Sequence, residues 1–593
     1  MTREYIPLLS HMNGVYRTAP PATDRKFWDT LISPVSSLII KRAEKVVSQA
    51  IPALPASLYL SFSRTGNRTT FEECYFTRRR MLGTLTLAYC LKPKEVILDK
   101  IIDLVWAIVE ETSWCLPAHN SYIRDTEQLP LPINNHPIID LFSAETASTL
   151  AQVYSLLKPD LDATTPIISE RIERELERRI RTPYLTTHFW WMGNGDEPMN
   201  NWTAWCTQNV LLTAFLTPVD KEDQQHIAEK ALCSLDCFLK DYGEDGCCSE
   251  GAQYYRHAAL CLYLSLDILN RVTDFQFEGL LRELKIQNMA SFIRHIHAQG
   301  PYYFNFSDCS ALAGPCSVRE YLFAQAVDDP FLASFAKHSA HLRKKQERDL
   351  PQEINLTYRL LELLGITEEE PLPSLKEEDH YYPSVGIWIS RDKHLALAVK
   401  AGGNDDSHNH NDTGSITLYK DGFPILIDIG VEDYTKQTFS QDRYSIWTMR
   451  STYHNVTNFP PYEQQAGKAY RCTVEEVATG RIVMELAHCY PEAAGLGSYR
   501  RTVTHEKNGG ITILEQVKGK TAPVLTLMCA MQPAIEGKII YLGEKATMQC
   551  NADNLEITCE SITVEDKRLR TVWPNVIYRL LLGYTKELSL HIE

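Results

Sequence analysis

The richest concentration of groups able to do chemistry is GGNDDSHNHND, residues Gly402–Asp412, set between two segments of β character. Such a polar cluster is costly to bury unless its members bond to one another, to a metal or to a substrate. In an extended segment His408 and His410 project to one side, and Asn409 and Asn411 to the other. Two imidazoles can then reach one site, or one can bind metal while its neighbour works beside it. The plainer reading is a polar loop carrying surface histidines. Two downstream positions add weight to the first reading. Asp428 ends the apolar run FPILIDIG, where a carboxylate needs a partner, and His454 sits in the polar break STYHNVT. His410, Asp428 and His454 would supply two nitrogens and one oxygen, a donor set suited to zinc. Their spacings are too long to be a local zinc signature.

Two further motifs lie upstream. In MNNWTAWC, Asn200 and Asn201 precede an apolar helix, so N-capping explains them without any chemistry. In DGCCSEGAQYYRH, residues Asp245–His257, turn residues lead into another helix, and Tyr254 and Tyr255 read equally as packing aromatics or as phenolic acids. The basic run Arg78, Arg79 and Arg80 suits either a solvated helix face or contact with substrate carboxylates or sulfates. His188, Trp190 and Trp191 suit either the core or sugar stacking. Tyr434 and Tyr444 follow the Asp428 run and stand close enough in sequence to approach the same place.

The elements that must position these residues change character along the chain. From about residue 25 to 365 the hydrophobic period is helical, with helices predicted over Glu95–Trp114, Ile139–Leu157, Ser169–Arg181, Ala204–Leu216, Gln224–Lys240, Tyr254–Arg271 and Phe277–Ala298. No fixed-period repeat accompanies them, which disfavours a regular solenoid. After the acidic, proline-containing stretch EEEPLPSLKEEDHYYP, short β-type runs dominate. They fall at Val385–Ser390, Leu395–Val399, Ser415–Tyr419, Ile425–Asp428, Arg481–Ala487, Tyr499–His505, Ile511–Val517, Leu525–Met531 and Leu555–Glu565. The predicted organisation is a helical domain over 1–367, a linker over 368–384 and a β-rich domain over 385–593.

The chain has 593 residues, 44% of them hydrophobic and 23% charged, enough for sizeable cores and too ordered a composition for a disordered chain. A net charge of −15 argues against broad binding to nucleic acid or to an anionic membrane. No apolar run is long enough to span a bilayer. The sixteen cysteines are scattered, without a paired metal-binding array, and the first residues do not read as an export signal. Reduced thiols and a cytoplasmic protein are the expectation.

Taken together, the motifs resemble the heparinase II/III-like polysaccharide lyases, a superfamily that includes alginate-lyase relatives. The resemblance rests on NNW at Asn200–Trp202, DGxxxEGxxY at Asp245–Tyr254, HNHNDxGS at His408–Ser415, LIDIG at Leu426–Gly430 and YHN at Tyr453–Asn455, in that order, and covers roughly residues 60–593. It implies an α + β chain: an N-terminal incomplete (α/α) toroid followed by a C-terminal antiparallel β-sandwich domain, with the family's cleft between them. The implied reaction is β-elimination at a uronic acid, leaving a 4,5-unsaturated sugar. The implied substrate is a uronate-containing oligo- or polysaccharide, glycosaminoglycan or alginate-like. The resemblance makes Asn200 or Asn201 the carboxylate donor, Tyr254 the acid and for some substrates the base, His408 the catalytic histidine, and His410, Asp428 and His454 the ligands of a mainly structural zinc. Two departures stand out. The family's EGPGYW is EGAQYY here, keeping Tyr255 in reserve, and Trp202 occupies a place where some members have histidine.

Two other classes fit parts of the sequence. A glycoside hydrolase on a similar helical toroid needs two carboxylates facing one bond, for which Glu197, Asp245 and Glu250 are available. A noncatalytic glycan-binding protein would bind uronates without turning them over.

Overall fold

Helices form where the apolar period says they should, and their ends are set by local chemistry. The computed structural model describes residues 1–14, 16–31, 33–346, 353–366, 378–406, 408–435 and 437–593. Asp140 opens the helix Leu141–Thr164, its carboxylate accepting from Ser143 N at 2.7 Å, and Asn200 opens Asn201–Leu216 by accepting from Trp202 N. We call Thr69–Leu91 α1, Glu95–Val109 α2, Leu141–Thr164 α3, Asn201–Leu216 α4, Gly251–Val272 α5 and Leu284–His295 α6. α2 buries one stripe, Ile97, Ile101, Leu104, Val105 and Ile108. α1 is buried all round from Met81 to Leu91, with Thr84 and Thr86 returning their hydroxyls to the carbonyls of Arg80 and Leu82.

Two units emerge, and they do not divide at one point in the sequence. The first comprises Met1–Tyr242, His257–Ile286 and Cys316–Pro373; the second comprises Gly243–Arg256, Gln287–Pro315 and Ser374–Glu593. In the first, neighbouring helices pack as layered hairpins: α1 on α2, α3 on α4, Pro166–Leu176 on α3, and Lys221–Asp241 on α4. This is the helical toroid class expected from the sequence. The predicted helix over Phe277–Ala298 breaks into Glu278–Leu281 and α6, and the one over Ser169–Arg181 passes into a wide turn at Glu177–Arg181. Of the expected linker 368–384, residues 368–377 lie outside the described ones. Among the described residues no helix is long and apolar enough to cross a membrane.

The second unit is antiparallel β. One sheet runs in chain order through β1 (His380–Tyr382), β2 (Ile387–Arg391), β3 (Leu395–Lys400), β4 (Ile416–Lys420) and β5 (Phe423–Leu426). β2 and β3 are buried on both faces, the mark of a sheet covered on each side. An eight-stranded sheet is built around the hairpin Leu496–Glu506 and Gly510–Gly519, which turns through Asn508 at φ +63° as the Lys-Asn-Gly-Gly sequence requires. A four-stranded sheet includes Thr457–Asn458, Val524–Cys529, Val576–Gly583 and Glu556–Thr563. Trp388, Leu397, Val399 and Leu418 share one core with Val503, Ile513, Leu527 and Leu590.

The basic run on α1 is neither a solvated face nor an open binding surface. Arg79 is fully buried and fork-bonded to Glu111, at 2.8 and 2.6 Å, while Arg78 donates to the same carboxylate at 3.0 Å and to Pro52 O at 2.7 Å. Two guanidinium groups thus share one buried acid between α1 and the end of α2. Glu111→Ala strands both, and should lower stability toward denaturant by about 3–5 kcal/mol. A loss below about 1 kcal/mol would show that water reaches the pair.

Candidate active site and metal centre

The polar loop between β3 and β4 is closed at its base by Lys400, whose ammonium donates to Asp412 Oδ1 at 2.7 Å, with both groups buried. Gln464 fastens the same end, accepting from Thr413 N at 3.0 Å and donating to Thr413 O at 2.7 Å. Between these anchors the segment is not extended as the sequence suggested. His408 adopts φ +56°, so alternation does not decide where its ring points. The two histidines still converge, because one carboxylate collects them.

That carboxylate is Asp308, fully buried on a turn where Ser307 also takes a positive φ of 55°. Its Oδ2 lies 2.8 Å from His408 Nδ1 and its Oδ1 3.1 Å from His410 Nε2. Arg443 donates to Oδ1 at 2.6 Å and also holds the loop's backbone, at His408 O (2.9 Å) and Asn409 O (3.1 Å). Burial alone would raise the pKa of Asp308. The hydrogen bonds from both imidazoles and the charge of Arg443 outweigh it and hold the carboxyl well below the usual range.

His408 carries this order outward. Its ring stacks on Tyr254, with centroids 5.5 Å apart and planes 20° from parallel, and its Nε2 is 3.8 Å from Glu250 Oε2. Burial works against its cation, but the Asp308 hydrogen bond and the Glu250 charge prevail and raise its pKa above the ordinary value. Tyr254 comes from the first turn of α5, and its hydroxyl meets that of Tyr434 at 2.5 Å. Burial is the main reason the Tyr254 phenol is held well above its usual value of 10; Tyr434 and Glu250 add to the shift and Arg568 opposes it. Arg568 lies 4.8 Å over the Tyr434 ring and donates to Asp308 O at 3.0 Å. Tyr255 faces the other way, fully buried, its hydroxyl donating to Ala290 O.

His410 turns inward toward Asp428 and His454. The three are buried, and the ligand atoms they offer lie within 4.8 Å of one another. Nδ1 of each imidazole is buried without a hydrogen-bond partner, that of His454 standing 3.1 Å from Asp428 Oδ2. The opposite nitrogens are committed: His410 Nε2 to Asp308, and His454 Nε2 to Thr448 O at 3.0 Å. Asp428 sits just beyond β5. Its Oδ1 accepts from Gly430 N at 2.8 Å and from Asn305 Nδ2 at 3.2 Å, leaving Oδ2 for the centre. Asn455, next to His454, donates to Ile416 O and Ile427 O and accepts from Met528 N, which pins the ligand to three strand ends. Two lone pairs and a carboxylate oxygen converging on one point, each with its far side fixed, fit a divalent cation.

Asn200 and Asn201 belong to the helical unit. Asn200 commits Oδ1 to the cap, at 3.1 Å from Trp202 N, and Asn201 is largely buried. Trp190 and Trp202 pack at 5.0 Å, Trp191 is buried, and Arg124 stands 5.0 Å over Trp190. Tyr444 lies 3.4 Å from the Asn409 amide. Of the carboxylates a hydrolase would need, Asp245 is occupied by Ser384 and Cys247 N, and Glu197 is exposed beside Arg124. Glu250 alone of the three stands by His408. Sequence reasoning missed Asp308, Arg443, Arg568 and Asn305. The signal for Asp308 was an acid inside the aromatic run YYFNFSD, where a charge needs partners.

Asp308→Ala withdraws the shared acceptor and leaves the nearly buried Arg443 uncompensated. It should cost about 3–5 kcal/mol in chemical denaturation. Unchanged stability would remove Asp308 from its organising place.

The fold has close counterparts among solved structures. A heparinase III aligns with TM-score 0.61 at 13% identity, covering 95% of this chain and 84% of the other. A heparan sulfate lyase mutant from Pedobacter heparinus aligns with TM-score 0.58 at 13% identity, covering 100% and 87%. A chondroitin AC lyase mutant from Streptomyces coelicolor A3 aligns with TM-score 0.51 at 11% identity, covering 97% and 83%. At these identities the likeness is one of fold. No curated protein matches the sequence. Residues 375–558, which carry His408, His410, Asp428 and His454, match the family model described as Heparinase II/III-like, C-terminal. The β-rich part of the chain thus carries a heparinase II/III-like C-terminal domain, and the fold of the chain is that of the heparinase and chondroitin lyase structures.

Proposed function

We propose that this protein is a polysaccharide lyase cleaving a uronate-containing glycan, a glycosaminoglycan or an alginate-like polymer or its oligosaccharides, by β-elimination. The observation that carries the reading is Tyr254: a phenol kept protonated, hydrogen-bonded to a second phenol and stacked on a histidine that a buried aspartate orients. β-Elimination needs those parts. A base takes the proton from C5, the electron pair forms the C4=C5 double bond as C4–O breaks, and an acid protonates the departing oxygen. His408, with Nδ1 fixed on Asp308, offers Nε2 as the base; Tyr254 is the acid. The C5 proton becomes acidic enough only if the adjacent carboxylate is bonded as the enolate develops. That role falls to the Asn200–Asn201 pair, of which Asn200 has Oδ1 engaged in the helix cap. His410, Asp428 and His454 would hold zinc, whose fixed charge would lock the histidine loop in place. The sixteen free cysteines support a reducing, cytoplasmic setting, where imported oligosaccharides are the natural substrates.

Turnover of uronate oligomers should yield an unsaturated product absorbing in the near ultraviolet, which hydrolysis or simple binding cannot produce. Tyr254→Phe keeps the ring and its packing but removes the phenolic proton, and should lower kcat by about 10²-fold or more. Near-normal turnover by this variant on every cleaved substrate would overturn the role of Tyr254. Asn200→Ser retains a capping oxygen without the amide donor, so a loss of activity at unchanged stability separates carboxylate binding from capping.

Metal analysis of the purified protein should find about one zinc per chain, three protein ligands leaving one position for water. His454→Ala should lower that content and the melting temperature together. Full occupancy in the variant would remove His454 from the ligand set.

A further inference from the structure

One aromatic side chain beside His408 is used by neither the elimination scheme nor the metal centre. Phe439 ends the short helical turn Gln437–Phe439 and is 59% exposed, although it lies against two rings of the site. Its ring meets that of Tyr434 at 5.1 Å, with planes 64° apart, and that of His408 at 6.1 Å, with planes 84° apart. His408 is itself near parallel to Tyr254 and to Tyr434, at 20° and 24°. Phe439 therefore stands across a set of near-parallel rings. Among the described residues its ring contacts are with His408 and Tyr434 and not with Tyr254. All four residues belong to one unit.

The turn beneath Phe439 is braced. Thr438 is buried, and its hydroxyl accepts from Thr435 N at 3.0 Å. Its carbonyl accepts from Arg443 Nη1 at 3.0 Å, on the guanidinium that pairs with Asp308, and Ser440 N closes the turn on Gln437 O. The exposed neighbours Gln437, Ser440 and Gln441 are polar. A lone exposed apolar side chain needs no explanation. One whose backbone is tied to the same arginine that holds the histidine loop, and whose ring touches the proposed base, does need one. A phenyl face suits the C–H face of a pyranose, whose hydroxyls project around the rim.

We propose that Phe439 is the stacking platform for the sugar that follows the uronate toward the reducing end of the substrate. The inference rests on the lyase reading, which puts Tyr254 at the departing C4 oxygen and His408 at the C5 proton. From that oxygen the uronate ring runs through C4 and C5 to the ring oxygen and C1. C1 carries the bond to the next sugar. The side chains follow the same order: Tyr254, then His408 stacked on it, then Phe439 against His408 and out of contact with Tyr254. The sugar seated on Phe439 is therefore the one joined through C1. The platform favours oligosaccharides that continue past the uronate over those that end there. Phe439 touches no reacting atom, so its contribution is to binding and falls on KM rather than kcat.

The test compares wild type, Phe439→Ala and Phe439→Tyr on two sets of uronate oligosaccharides matched on the nonreducing side. One set ends at the uronate as its methyl glycoside; the other carries further sugars beyond it. Unsaturated product, KM, kcat and melting temperature are followed. Where the wild type leaves the methyl glycosides uncleaved, their inhibition constants against the longer set take the place of KM. On the longer set Phe439→Ala should raise KM by about tenfold, the scale of one lost aromatic contact, with kcat within about threefold of wild type. On the methyl glycosides its KM should stay within about twofold of wild type. Phe439→Tyr keeps the ring face and should stay within about threefold of wild type on both sets. Wild type forming no unsaturated product from any uronate overturns the lyase reading and this assignment with it. An active wild type with Phe439→Ala within about twofold of it in KM on the longer set overturns Phe439 alone. So does an equal rise in KM on both sets, a Phe439→Tyr variant as poor as Phe439→Ala, or a loss confined to kcat that follows a fall in melting temperature.

Discussion

Everything around the candidate active site depends on the ionised carboxylate of Asp308. It is fully buried, and it is tolerated because three donors face it: two imidazoles and a guanidinium. The same carboxylate does two jobs through its two oxygens. Oδ2 sets the tautomer of His408, which faces Tyr254, while Oδ1 sets that of His410, whose Nδ1 is left for the candidate metal site with Asp428 and His454. Arg443 balances the charge and binds the loop backbone with the same group, so the loop cannot shift without breaking the ion pair. The candidate metal site and the candidate proton-transfer site are therefore one construction with a shared keystone.

The sequence displayed the donors well and their organisers poorly. His408, His410, Asp428 and His454 stood out because polar residues interrupt β-type runs, and alternation located most of those runs within a residue or two. The fine geometry escaped that logic: His408 leaves the extended conformation, so its partner was set by a contact 100 residues away in sequence. Asp308, Arg443 and Arg568 lie on irregular turns with no period to reveal them. Arg78 and Arg79 show the opposite limit. A basic triplet on a helix reads as solvated until Glu111, 32 residues beyond Arg79, is known to bury with it. Local pattern predicts which residues need partners; tertiary structure supplies them.

The chain's departure from one break between helical and β halves has the same origin. The short stretches Gly243–Arg256 and Gln287–Pro315 are helical or turn-like by pattern, yet they cluster with the β domain. The first brings Glu250 and Tyr254, and the second brings Asn305 and Asp308, to strands that begin more than 60 residues later. A boundary drawn from periodicity separates His408 from its tyrosine and from its aspartate. Drawn from contacts, it keeps them together. The tyrosine and the histidine that a single break would assign to different halves lie in one unit.

The tyrosine pair shows how that unit reconciles two demands on one acid. At rest the phenol must keep its proton, and burial keeps the ionised form of Tyr254 unfavourable. In the proposed elimination the phenol would pass that proton to a leaving oxygen, and the phenolate would have to survive until it is replenished. Tyr434, 2.5 Å away, can reverse its hydroxyl to donate, and Arg568 over the Tyr434 ring supplies the nearby positive charge that opposes the upward shift in both phenols. Burial pushes the Tyr434 phenol up as well, to about 12, while its hydrogen bond with Tyr254 and the charge of Arg568 pull it down. Arg568 also holds the backbone carbonyl of Asp308, so the cation beside the phenol pair is fixed to the residue that orients His408.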